Sequence, residues 1–143
     1  TRSIVTDLPA HPILEGDAAS AWMGLTVETA EKDHAVVRMT VRDEMVNGFG
    51  ITHGGMIFAF ADSCFALTCN DPDADGSTIT VASGVDVNFL APTTAGQSLI
   101  AEGRLVSRAG RSGVYDISVT TEDGTIVAAF RGRSRTIPNP AAR

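Results

Sequence analysis

The chain has 143 residues and a mass of 14.9 kDa, is 43% hydrophobic and 20% charged, and carries a formal net charge of −6 with a pI near 4.9. That is one domain of ordinary globular composition, long enough for a real core and too short for two. The acidic balance without a Lys/Arg run argues against a nucleic-acid surface, and no apolar stretch reaches the length of a membrane span.

No basic segment followed by an apolar one opens the chain, so no signal peptide is expected and residues 1–12 read as a short irregular extension. Pro12 is expected to open a short helix running through Trp22 and Met23 and stopped by Gly24. Residues 25–30 and 35–41 read as strands joined by the polar turn 31–34. In the second of them Val37, Met39 and Val41 alternate with Arg38, Thr40 and Arg42, the pattern of a half-buried strand. His11 and His34 read as surface residues.

After an irregular stretch, residues 43–50, a long helix is expected to begin after His53-Gly54-Gly55 and to end near Asn70, where Pro72 cannot continue it. It is apolar on almost all sides and so is expected to be surrounded by protein. Four strands follow at 78–90, 99–107, 114–121 and 126–137. The turns between the last three are marked by Ala109-Gly110-Arg111 and Glu122-Asp123-Gly124, and a loose tail starts at Pro138. One antiparallel sheet curled around one buried helix, an α+β arrangement spanning residues 1–143 as a single domain, satisfies this order; it is the hotdog fold.

Within the apolar run 56–67 the one charged residue is Asp62. A carboxylate loses several kcal/mol of hydration on burial, so one kept there is either a working group or a cap on some backbone N–H. Gly54 and Gly55 leave first-turn amides uncrowded at the positive end of the helix dipole, which suits a developing oxyanion; the same glycines also allow close helix–strand packing. Asp62 lies eight residues beyond Gly54, about 12 Å along a helix at 1.5 Å per residue. One reacting carbonyl cannot reach both, so a shared site requires two antiparallel helices from two chains. His53 can act in acid–base chemistry or hold the helix start in place, and the second role fits slightly better. Cys64 and Cys69 have neither redox nor zinc-knuckle spacing and read as buried apolar residues in a reducing cytoplasm. Three scattered histidines give no metal site.

Asn47-Gly48, His53-Gly54-Gly55 and Ala61-Asp62-Ser63, with Gly113-Val114-Tyr115-Asp116-Ile117 and Ala129-Phe130-Arg131-Gly132 downstream, resemble the signature of the hotdog acyl-CoA thioesterases of the phenylacetic acid degradation type. The resemblance covers residues 18–137. It implies hydrolysis of phenylacetyl-CoA and ring-hydroxylated phenylacetyl-CoA in the cytoplasm, without metal or other cofactor, by a homodimer with shared sites paired into a tetramer. By position, the Gly54 N–H polarises the thioester carbonyl, Asp62 is nucleophile or general base, Asn47 orients water or carbonyl, His53 precedes the glycines, and Gly55 is a substrate-binding candidate. Relatives place a Ser or Thr opposite the carboxylate, which makes Ser83 a substrate-binding candidate. Phe49, Phe58 and Phe65 are candidates for the acyl pocket, although aromatic residues on a buried helix more often form plain core. Arg108 and Arg111 flank a turn and are candidates for the CoA phosphates. Arg131, Arg133 and Arg135 share a strand face. A hotdog enoyl-CoA hydratase and a non-catalytic acyl-CoA-binding protein are the competing expectations.

Overall fold

The computed structural model describes residues 11–141. Of the expected N-terminal extension, residues 1–10 lie outside that range, as do 142 and 143 at the other end. The expected first helix is two elements. A 3-10 turn, Pro12–Leu14, is followed by Gly16 at φ 75° and then by α1, Ala18–Met23. Asp17 caps α1 by accepting from Ser20 N–H at 3.0 Å, and Gly24 ends it in the left-handed region at φ 72°, where a side chain would be strained. Nothing in the local apolar pattern marks the break at Gly16, because the backbone reversal there needs no buried side chain.

Six strands follow the expected order: β1 (Thr26–Glu31), β2 (His34–Thr40), β3 (Thr78–Phe89), β4 (Ser98–Ala109), β5 (Ser112–Thr121) and β6 (Ile126–Pro138). They form one antiparallel sheet in the order β1-β2-β4-β5-β6-β3, so β1 and β3 are its edges. The helix α2 (Gly54–Cys69) lies between β2 and β3 in sequence and packs against the concave face. The expected loose tail is anchored instead: Asn139 donates from its backbone to Ser77 O at 3.0 Å and from Nδ2 to Gly76 O at 2.9 Å.

Two inward-facing glycines allow the close approach of helix to sheet. A Cβ on Gly132 would stand 2.7 Å from the Phe65 ring, and one on Gly103 would overlap Thr68 Oγ1. Ile57, Phe60, Ala61, Cys64, Phe65, Leu67 and Thr68 are buried on this side, with Tyr115, Ile117 and Phe130 from the sheet beneath them. Each large apolar side chain so buried contributes about 1.5–3 kcal/mol. The opposite stripe, Ala59, Asp62, Ser63 and Ala66, is only half-buried. The expectation that the chain itself surrounds the helix therefore fails along this stripe, because one sheet curls around only part of its circumference.

Candidate active site

The segment entering α2 is a tight loop closed by a bridge between Val46 and Thr52. Asn47 organises it: its N–H donates to Ile51 O at 2.8 Å, and its Oδ1 accepts from Phe49 N–H at 2.9 Å. Thr52 is pinned to Thr93 by backbone and hydroxyl bonds of 2.8 and 2.7 Å. His53 N–H donates to Met45 O at 2.8 Å. These bonds leave the chain little freedom in how it enters the helix.

His53 caps that helix. Its Nδ1 accepts from Gly55 N–H at 2.9 Å, and its carbonyl accepts from Met56 N–H and Ile57 N–H at 2.9 and 3.2 Å. A ring that accepts at Nδ1 carries its proton on Nε2 when neutral. Gly55 is needed here because a Cβ would lie 3.0 Å from that Nδ1. With the second and third amides engaged, the Gly54 N–H remains without an acceptor among the described residues. It opens on a cleft of about 430 Å³ lined by Asn47, Ile51, Ile57, Phe89, Leu90 and Val127, among others. Asn47 Nδ2 on the same cleft also has no acceptor among the described residues. Asn47 and Gly54, each with a spare donor and the second at the positive end of a helix dipole, thus line one concavity.

Asp62 sits two turns along the half-buried stripe, with no ion pair or hydrogen bond among the described residues. Burial pushes its carboxyl above the ordinary aspartate value of 3.8. Next to it Ser63 Oγ lies 2.8 Å from Ser20 Oγ, which in turn donates to Asp17 at 2.7 Å, fastening α1 across α2 at the level of the carboxylate. Within one chain the Gly54 amide and Asp62 remain about 12 Å apart along the axis.

The other expected residues do not converge on this point. Phe58 is half-buried and packs edge-on against Phe130 at 5.6 Å. Ser83 occupies the β-bulge of β3 and donates to Arg133 O at 3.1 Å on the exposed side. Arg108 is ion-paired to Asp33 and donates to Tyr115 Oη at 3.1 Å; these partners hold it more firmly protonated. Arg111, at the β4–β5 turn, is exposed and makes no ion pair among the described residues. Arg131 forms a forked pair with Asp116 at 2.7 and 2.8 Å, and Arg133 pairs with Asp86 at 3.0 Å, so much of the arginine-rich face is neutralised by its own neighbours. Both thiols are pushed up to about 12 by burial, which keeps Cys64 and Cys69 protonated and removes them as nucleophiles. His11, expected on the surface, is buried and bonds through Nε2 to Asn70 O at 2.7 Å.

Sequence reasoning missed Phe89, whose ring lies 3.4 Å from where a Cβ on Gly54 would be and which is 55% exposed. Its signal was the adjacent pair Phe89-Leu90, which breaks the alternation of β3 at its last residue. Sequence reasoning also missed a second cavity, of about 480 Å³, at the far end of α2; its walls come from segments too distant in sequence to be linked by pattern.

The family model of the thioesterase superfamily matches residues 49–128, the stretch that contains both Gly54 and Asp62. The chain belongs to the thioesterase superfamily. This thioesterase is 37% identical over 128 residues to acyl-coenzyme A thioesterase PaaI of Escherichia coli, a match covering 90% of this chain and 89% of the other. The solved structure of the E. coli PaaI protein from the phenylacetic acid degradation operon superposes with a TM-score of 0.82 at 35% identity, covering 89% of each chain. A single-residue variant of phenylacetic acid degradation protein PaaI from Thermus thermophilus gives a TM-score of 0.72 at 31% identity over 87% of this chain and 97% of that one. The sheet and helix are those of the hotdog fold, and the family chemistry is thioester hydrolysis.

Proposed function

We propose that this thioesterase hydrolyses acyl-CoA esters of the arylacetyl class, phenylacetyl-CoA and its ring-hydroxylated forms, to free acid and CoA. In this reading each site takes Gly54 from one protomer and Asp62 from the other. One observation carries it: a helix holds a spare amide donor at its start and an unpartnered carboxylate about 12 Å further on. Two such helices packed antiparallel bring the donor of each to the carboxylate of the other. The names of the E. coli and Thermus relatives supply the support for the arylacetyl group.

The thioester carbonyl oxygen accepts from the Gly54 N–H, with Asn47 Nδ2 as the second donor on the same cleft. The charge that develops on that oxygen then meets fixed dipoles, and one such donor contributes about 2.7–4 kcal/mol to the transition state. The partner's Asp62 either adds to the carbonyl carbon or takes a proton from the water that does. In both routes the C–S bond breaks, CoA leaves as its thiolate, and water supplies the oxygen of the free acid. His53 acts through structure, since its Nδ1 is committed to the helix cap. Every step uses protein groups and water, so the reaction is proposed to need no metal or other cofactor. A cytoplasmic enzyme assembled as a dimer of dimers completes the proposal; no helix among the described residues is long and apolar enough to cross a membrane.

The test is thiol release from phenylacetyl-, hydroxyphenylacetyl-, benzoyl- and aliphatic CoA esters, with Asp62→Asn beside the wild type. Turnover concentrated on arylacetyl esters and reduced roughly 10²- to 10⁴-fold in the variant supports the proposal. Unimpaired turnover by Asp62→Asn removes the carboxylate from the mechanism.

A further inference from the structure

The helix α1 has few attachments to the rest of the chain. It is six residues long, too short to persist as a helix on its own, and it buries only Ser20 and Met23. A glycine in the left-handed region stands just before it and another just after it, Gly16 at φ 75° and Gly24 at φ 72°. Met23 joins the apolar core. Ser20 reaches α2 instead: its Oγ lies 2.8 Å from Ser63 Oγ and donates to Asp17 at 2.7 Å. The directions follow from the chemistry. An ionised carboxylate only accepts, so the single Ser20 hydroxyl proton goes to Asp17, and Ser63 must donate to Ser20. A hydroxyl within a helix often turns back to the carbonyl four residues earlier, as Thr68 does to Cys64 O at 2.7 Å. Ser63 makes no such bond among the described residues and spends its proton on α1.

We infer that Ser20 and Ser63 are positioning residues for Asp62: their bond holds α1 against the turn of α2 that bears the carboxylate and sets how deeply that carboxylate lies. This rests on the shared-site reading above, in which Asp62 acts on the ester held by the partner's Gly54. Asp62 and Ser63 are successive residues, about 100° apart around the helix axis. In the proposed dimer the carboxylate therefore lies in a groove, with α1 on its Ser63 flank and the partner's α2 along the stripe. Of the titratable groups on the elements packed there, Asp17 is engaged by Ser20, and the Cys69 thiol, pushed up to about 12, carries no charge. Burial is what raises the Asp62 carboxyl, so an α1 set loose, admitting water on the Ser63 flank, lets it fall back toward 3.8. A carboxylate so released is also less well aligned on the carbonyl, and small misplacements of a reacting group are costly in rate. The helix carries its own reporter. Trp22, the single tryptophan of the chain, lies on the outer side of α1 with the Arg42 guanidinium 4.5 Å from its ring centre.

The experiment compares Ser20→Ala, Ser63→Ala, the double variant and Ser63→Thr with wild type. Three quantities are read on each: kcat and KM for phenylacetyl-CoA, the acid limb of kcat/KM, and acrylamide quenching of Trp22 fluorescence. Alanine is the best residue for a helix interior, so Ser63→Ala does not put folding at stake. Both alanine variants are expected to lower kcat roughly 10- to 100-fold with KM kept. They are also expected to move the acid limb toward the ordinary aspartate position and to raise the quenching of Trp22. The double variant should match either single one, because the same bond is lost in all three. Ser63→Thr keeps the hydroxyl and should restore most of the turnover. Wild-type kcat in the alanine variants overturns the inference. A fall in kcat with the acid limb and Trp22 quenching unmoved overturns it as well, since a defect elsewhere in the fold would give that result. Asp62→Asn, run beside them, separates the two failures: if it keeps its turnover, or if the wild type hydrolyses no ester, the underlying reading falls and the inference with it.

Discussion

The two sides of α2 obey different rules. Toward the sheet, Phe60, Phe65 and Leu67 are at most 1% exposed, and glycines at positions 132 and 103 leave room for Phe65 and Thr68. Away from it, Ala59, Asp62, Ser63 and Ala66 are half-buried, and the carboxylate has no partner among the described residues. The inner face is finished by the chain that carries it. The outer face is small, apolar and charged at one point, and α1 crosses it at Ser63; in the proposed dimer a second helix is laid on it. Stability and activity therefore sit on opposite sides of one element and are separable by mutation.

The largest separation is expected from Gly54→Pro. Proline suits the first position of a helix, and His53 already has the extended backbone, φ −61° and ψ 133°, that a following proline requires. The substitution removes the spare N–H and brings a Cβ into ordinary contact with the Phe89 ring, 3.4 Å away. Turnover is expected to fall roughly 10²- to 10³-fold, with the thermal midpoint kept, as read by thiol release and calorimetry on the same samples. The converse change is Gly132→Ala, whose methyl meets the Phe65 ring. It is expected to cost about 1–3 kcal/mol of stability in denaturant titration, with kcat per folded molecule unchanged.

A smaller and subtler separation is expected with pH. Burial raises the Asp62 pKa above 3.8, so the fold prefers the protonated carboxyl and the reaction prefers the ionised one. The stabilisation associated with that proton is present at low pH and lost as pH rises through the raised pKa, while activity appears over the same interval. The acid limb of kcat/KM should thus lie above the range of an exposed aspartate. Asp62→Asn should be more stable than wild type at neutral pH, with the difference closing on acidification. A limb at the ordinary aspartate position and no stability difference would show that burial does not govern this group.

Most of the sheet was legible in advance because it is written locally. Val37, Met39 and Leu99, Ala101 face inward with the period of two that the sequence displays, and strand ends fell within two residues of the observed ones. Half of the candidate site was visible for the same reason: a lone charge in an apolar run and two glycines at a helix start are features of a dozen consecutive residues. Arg108 was not, because its partner Asp33 is 75 residues away and the two meet only through the register of β2, β4 and β5. Gly103 and Gly132 carried no signal either, since a glycine facing a helix and one marking a bulge look alike in a strand. The second cavity is assembled from residues 12 to 139 and exists only once the 3-10 turn Pro12–Leu14, α2 and β3 have packed.

The central claim, that each site is divided between two chains, is tested most directly by complementation. Asp62→Asn chains and Gly54→Pro chains, each nearly inactive alone, are unfolded together, refolded as a mixture and assayed for thiol release. A mixed dimer has one site with both Gly54 and Asp62 intact and one with neither, so random pairing should restore about a quarter of wild-type activity. Activity no higher than the average of the two parents would contradict the account and return the whole reaction to a single chain.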